Sequence, residues 1–118
     1  MEYNFLLLED KKLSIQKNKT FLKLTQENID NLKAAYSLIS INEIKGNNPL
    51  SPKVIELLKD NEVVINFEKV SSALKELEGN KIVAHLSRKN FRKISFPIFV
   101  QSEYLKTYLK DSGLQFEL

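Results

Sequence analysis

The sequence predicts an α/β fold: a layered mixed sheet with an N-terminal antiparallel hairpin and three or four helices packed on it, with α+β as the alternative. Three observations predict it. Capped amphipathic segments alternate with short apolar runs after Ser51. Two apolar segments near the N-terminus flank a polar turn. A chain of 118 residues, 42% hydrophobic and 28% charged, has the size and composition of one ordinary globular domain, expected to span residues 1–118.

Each element has its own signal. Residues 3–8 are apolar and bounded by charge, the pattern of a strand buried on both faces. Residues 13–15 and 21–24 flank Lys17-Asn18-Lys19 and read as a hairpin. Thr25 is placed to cap a helix in which Ile29, Leu32, Tyr36 and Ile39 recur at three- and four-residue spacing; it would reach Ile41 and be the longest of the chain. Residues 45–49 form the clearest loop. Ser51-Pro52 starts a second helix, with serine as N-cap, proline in the first turn, and Val54, Ile55, Leu57 and Leu58 as the apolar face.

Val63-Val64-Ile65-Asn66-Phe67 is β-branched and nearly all apolar, which suits a central strand. Residues 70–78 read as a short helix closed by Gly79-Asn80, with a strand from Ile82 to Leu86. The interval from Phe67 to Ile82, about fourteen residues, is enough for a parallel crossover. Pro97 lacks an N–H, so residues 94–100 are expected at a sheet edge or a bulge. Ser102 is placed to cap a last helix bearing Leu105, Tyr108 and Leu109; Asp111-Ser112-Gly113 turns, and residues 114–116 read as a final strand. The alternation after Asn66 and the tail from Ser102 to Leu114 resemble the anti-sigma-antagonist STAS domains. The phosphorylatable Asp-Ser signature of that family is missing, and Val70-Ser71-Ser72-Ala73 stands where it would be sought, so neither function nor sites are carried over.

Several chemistries lack their residues. Without cysteine there are no disulfides, thiolate metal sites or cysteine nucleophiles. Gly46, Gly79 and Gly113 are isolated at turns, so no glycine-rich phosphate loop is expected. One histidine and scattered carboxylates give no metal-ligand spacing, and neither a metal nor a cofactor is expected. His85 has no partner motif to orient it as a base, and Ser71 and Ser72 lie in no nucleophile elbow. The N-terminus offers only the apolar run Phe5-Leu6-Leu7-Leu8 flanked by acids, so neither a signal peptide nor a membrane span is expected, and the location is expected to be cytoplasmic.

Charge is the one feature above background. Lysine and arginine total 18 against 15 acids, a net of +3, but the surplus is local. Between Glu78 and Glu103 no acid occurs and five cations do: Lys81, Arg88, Lys89, Arg92 and Lys93; the rest of the chain is net −2. The only two arginines lie four residues apart, as do Lys89 and Lys93, which would put each pair on one side of a helix or strand. Arginine binds carboxylate or phosphate at two points and stacks on flat rings, and Phe91 supplies an aromatic surface beside it. These residues predict a non-enzymatic interaction protein, a regulator or inhibitor, with Arg88, Lys89, Phe91, Arg92 and Lys93 as the partner-binding set. The partner would be an acidic protein surface, with RNA or DNA bound through phosphates as the alternative. The apolar segment carrying Phe96 and Phe99 adds an edge on which a second copy could pair.

Overall fold

Alternating apolar residues build the first three strands of the computed structural model, which describes residues 2–43, 49–71 and 73–117. β1 (Tyr3–Glu9) buries Asn4 and Leu6 and turns back at Asp10 and Lys11, whose φ angles of 50° and 65° give the left-handed two-residue turn that matches strand twist. β2 (Lys12–Lys17) buries Leu13 and Ile15 and pairs antiparallel with β1, Leu6 opposite Ile15. β3 (Thr20–Lys23) follows the Asn18 turn and pairs antiparallel with β2, as the hairpin pattern predicts.

The long helix expected from Thr25 to Ile41 does not form. Asn28 and Thr25 exchange side chain–backbone hydrogen bonds, Thr25 N–H to Asn28 Oδ1 at 2.6 Å and Asn28 N–H to Thr25 Oγ1 at 3.3 Å, while Asn28 Nδ2 donates to the Lys23 carbonyl at 2.9 Å. These bonds close a turn in place of a helix. A single 3-10 turn, Ile29–Asn31, follows, and Ile29 and Leu32 are buried, so their apolar spacing is real while its helical reading is not. β4 (Tyr36–Ser40) then enters the sheet parallel to β1 with Leu6 opposite Ile39. Its two serines mask an otherwise apolar strand.

α1 (Pro52–Asp60) starts as predicted, with Ser51 Oγ accepting the Val54 N–H at 3.2 Å. β5 (Val63–Lys69) is an edge strand rather than a central one, and its Phe67 is 62% exposed. The helix expected over residues 70–78 does not form among the described residues: β6 (Leu74–Glu78) pairs antiparallel with β7 (Lys81–Leu86), Glu78 opposite Lys81. Gly79, at φ +61°, serves a hairpin turn in place of the expected helix C-cap, and both motifs need the same left-handed glycine. Strand thus follows strand after Asn66, which removes the strand–helix alternation behind the resemblance to STAS domains.

β8 (Arg92–Gln101) leads into α2 (Ser102–Asp111). After α2 the chain turns at Ser112 and Gly113, with the Leu114 N–H reaching the Leu109 carbonyl at 2.8 Å. The final strand expected over residues 114–116 does not form. Phe116 instead donates its N–H to the Lys11 carbonyl at 2.7 Å and packs its ring edge-on against Tyr108.

The strands form a six-stranded mixed sheet, order β3-β2-β1-β4-β8-β5, and a two-stranded sheet, β6-β7. The α/β class stands; the helix number is two α-helices among the described residues, not three or four. β8 lies between β4 and β5, so the segment carrying Phe96 and Phe99 is not the free edge expected for a second copy. Pro97 is accommodated there because the ladder with β4 runs from Ile98 to Gln101 and leaves it just outside.

Contacts divide the chain into two compact units, Met1–Ile65 with Phe96–Leu118, and Asn66–Ser95. In the larger, strand alternation sends Leu38 and Phe99 to one face, where Leu50 and Leu58 complete the core and Val54 and Ile55 of α1 pack against it. Ile39, Ile98 and Val100 take the other face, and Leu105 and Leu109 of α2 are buried there. On that face Asn4 Nδ2 donates to Ser37 Oγ at 3.0 Å, Ser102 Oγ at 3.1 Å and the Ala34 carbonyl at 3.2 Å, while its Oδ1 accepts the Ala34 N–H at 3.3 Å. Ser102 is therefore the first helical residue with its hydroxyl turned inward, not the N-cap; Gln101 holds that position.

The buried amide and one surface ion pair lend themselves to measurement. Asn4→Ala leaves the buried Ser37 and Ser102 hydroxyls only each other, at 2.7 Å, and takes the side-chain partner from both backbone groups of Ala34, and should cost about 1–3 kcal/mol in urea unfolding; a loss below about 0.5 kcal/mol would show that water replaces the amide. At the surface, Lys11 pairs with Glu117 at 2.5 Å, and that carboxylate raises the Lys11 ammonium above the ordinary lysine value. The pair's small contribution is complete at neutral pH and fades as pH climbs through the raised lysine value. A Lys11→Met chain lacks that contribution at every pH, so its stability deficit relative to the parent should shrink as pH rises into the alkaline range, measured by thermal unfolding at stepped pH.

Candidate functional site

The basic segment leaves β7 through a 3-10 turn, Arg88–Asn90, in which Asn90 N–H reaches the Ser87 carbonyl and Phe91 N–H the Arg88 carbonyl, both at 3.2 Å. Arg92 and Lys93 then begin β8. The backbone changes from turn to strand inside the segment, so the four-residue spacing does not sort the cations as a regular helix or strand would. Arg88, Lys89 and Arg92 converge, with Lys69 and Val70, on an open depression of about 230 Å³. Lys93 and Phe91 are not part of its lining; Phe91 is 41% exposed beside the turn.

Both guanidinium groups are held by backbone rather than by acids. Arg88 Nη1 donates to the Ser71 carbonyl at 2.6 Å. Arg92 Nη1 donates to the Phe91 carbonyl at 2.8 Å and to that of Lys89 at 3.1 Å. Among the described residues the only ion pairs are Lys11–Glu117 and Lys106–Glu103, so all four cations of the depression keep their charge unneutralised. The nearest sequence acid, Glu68, accepts from Ser95 Oγ at 3.1 Å and does not line the depression. Guanidinium groups fixed by neutral carbonyls keep their remaining N–H donors for an anion.

Lys69 is the cation of the depression that the linear reading misses. It closes β5, and it reaches Arg88 and Arg92 only through the pairing of β5 with β8, a long-range contact that counting charge along one segment does not see. His85 lies opposite Lys75 in the β6–β7 hairpin, and its Nδ1 contacts the Lys75 ammonium on an exposed face. Among the described residues no three histidine or carboxylate side chains gather as a metal site would need, and no helix is long and apolar enough to cross a membrane.

No family model matches this chain, and no curated protein sequence matches it. Solved structures do share its fold. One is 2-C-methyl-D-erythritol 4-phosphate cytidylyltransferase from Thermus thermophilus, at TM-score 0.53 and 14% identity over 78% of this chain and 48% of that one. Another is 4-diphosphocytidyl-2C-methyl-D-erythritol synthase from Anaerococcus prevotii, at TM-score 0.52 and 16% identity over 78% of this chain and 44% of that one. At these identities the likeness is one of fold, and this chain spans less than half the length of either neighbour. The finding nevertheless corrects the expectation of a non-enzymatic regulator or inhibitor, and of nucleic-acid binding as its alternative. The sheet and helices of this chain share the fold of these two solved enzymes.

The depression should be separable from the fold. Because Arg88 and Arg92 touch only exposed carbonyls, replacing both with alanine should move the unfolding free energy by no more than about 0.5 kcal/mol each. A larger loss in urea titrations would assign them to holding the smaller unit together.

Proposed function

We propose that this chain binds the phosphate groups of a nucleotide, within an enzyme of the nucleotidyl-transferring kind, through Lys69, Arg88, Lys89 and Arg92. The observation that carries it is the convergence of four cations with no acid among the lining residues. Such a cluster repels itself unless an anion of several charges lies in it, and the oxygens of a di- or triphosphate supply that charge in a compact volume. The fold shared with cytidylyltransferases supports the choice of a nucleotide over other polyanions. Phe91 offers a ring face for a base, and Lys93 adds to the positive field. In nucleotidyl transfer, donors already aimed at the phosphate oxygens would also stabilise charge that builds on the departing pyrophosphate.

Calorimetric titration tests this with cytidine triphosphate and unphosphorylated cytidine. The triphosphate should bind and the nucleoside should not, and binding should weaken as salt rises. Arg88→Ala/Arg92→Ala should weaken the triphosphate by about a hundredfold, and Lys69→Ala by about tenfold. Equal binding of cytidine, or undiminished binding by the double variant, would refute the proposal.

A further inference from the structure

A second cationic site lies in the larger unit, on the N-terminal hairpin. Ser14 stands directly opposite Lys23 in the β2–β3 register, so Lys12, two residues before Ser14, is the diagonal neighbour of Lys23 on the same face of the sheet. Both line one cavity, and the Lys12 ammonium, as a neighbouring donor and then by charge repulsion, pushes the Lys23 ammonium below the ordinary lysine value. Glu9 is opposite Lys12 on the other side, in β1, yet forms no ion pair with it. Two like charges on one cavity wall favour an anion placed between them.

Lys12 and Lys23 line a cavity of about 330 Å³ with Leu24, Thr25, Gly113, Leu114 and Gln115, and no acid is among these residues. Thr25 Oγ1 accepts the Asn28 N–H, which leaves its own proton to donate, and Gln115 adds a side-chain amide to the same wall. The cavity therefore combines two ammonium groups with two neutral donors. A carboxylate brings one charge and two oxygens to such a set; a phosphate ester brings nearly two charges and three terminal oxygens, and matches it better.

We infer that this cavity binds a small phosphate monoester, its phosphate held between Lys12 and Lys23 and its organic part along Leu24 and Leu114. The site shares no residue with the Lys69–Arg92 depression and stands whether or not that depression binds nucleotide.

The test is a two-dimensional amide NMR titration of the full chain with inorganic phosphate, glycerol phosphate and acetate. Both phosphates should move the amides of Thr25, Gly113 and Leu114 saturably, with acetate about tenfold weaker. In Lys12→Gln/Lys23→Gln those shifts should weaken by at least about tenfold, in Lys12→Arg/Lys23→Arg they should persist, and in Arg88→Ala/Arg92→Ala they should be unchanged. The resolved amides of β4 report that each variant is folded. Absence of saturable shifts, acetate equal to phosphate, or shifts that survive the glutamine pair would overturn the inference. Loss of these shifts in the arginine variant would overturn it too, by making the two sites one.

Discussion

Asn4 joins three elements of the larger unit at one buried point. Its amide holds β1 to Ser37 of β4, to Ser102 at the start of α2, and to both backbone groups of Ala34 in the approach to β4. An amide in that position has to find partners or lose the hydrogen bonds it made in water, and here no buried side-chain polar atom among the described residues lacks a partner. The consequence is positional. Ala34 is fixed at the bend that leads into β4, β4 begins two residues later in register with β1, and the Ser102 N–H closes onto the Ala35 carbonyl at 2.9 Å. The apolar pairs that fill the two faces, Leu38 with Phe99 and Ile39 with Ile98, depend on that register, because a slip of one residue would exchange the faces.

The same asparagine explains where sequence reading fails. Strands β1, β2 and β3 and helices α1 and α2 are legible because local signals decide them: alternation, tight polar turns, and a Ser-Pro helix start. The stretch from Thr25 to Ile41 is not, because its apolar spacing fits a helix and the choice is made by Asn28 and Asn4, which compete for its backbone. Residues 70–78 mislead for a related reason. Leu74 and Leu77 suit either period, and only pairing with β7 selects the strand. Composition alone puts β5 at the centre; its place at the edge follows from which strands take the interior, which apolar content does not encode.

For the candidate site, the segment is legible and its geometry is not. An acid-free run with both arginines marks Arg88, Lys89 and Arg92, and these do converge. The fourth cation comes from β5 and the anchors of both guanidinium groups are backbone carbonyls, so both depend on tertiary structure. Function is less legible still. Absence of a glycine-rich loop or catalytic motif argues against an enzyme, yet the fold is shared with cytidylyltransferases. In this chain β1 returns at once through Asp10 and Lys11, which leaves no long loop at the end of that strand, the place where open α/β sheets commonly hold a ligand. Under the proposed reading, cationic side chains elsewhere take on the task that such a loop would perform with backbone N–H groups.

The β6–β7 hairpin carries a dynamic consequence. Its strands pair only with each other, and Leu77 and Ile82, facing each other across it, are 60% and 55% exposed. A two-stranded ribbon with so little apolar cover is marginal by itself, so its amide hydrogens exchange through local opening, while those of β4 wait for the whole fold to unfold. Arg88 follows β7 by two residues and is braced on Ser71, just before β6. A phosphate seated on Arg88 would secure that brace across the open end of the ribbon, and its binding free energy would register as slowed hydrogen exchange along the ribbon toward the Gly79 turn.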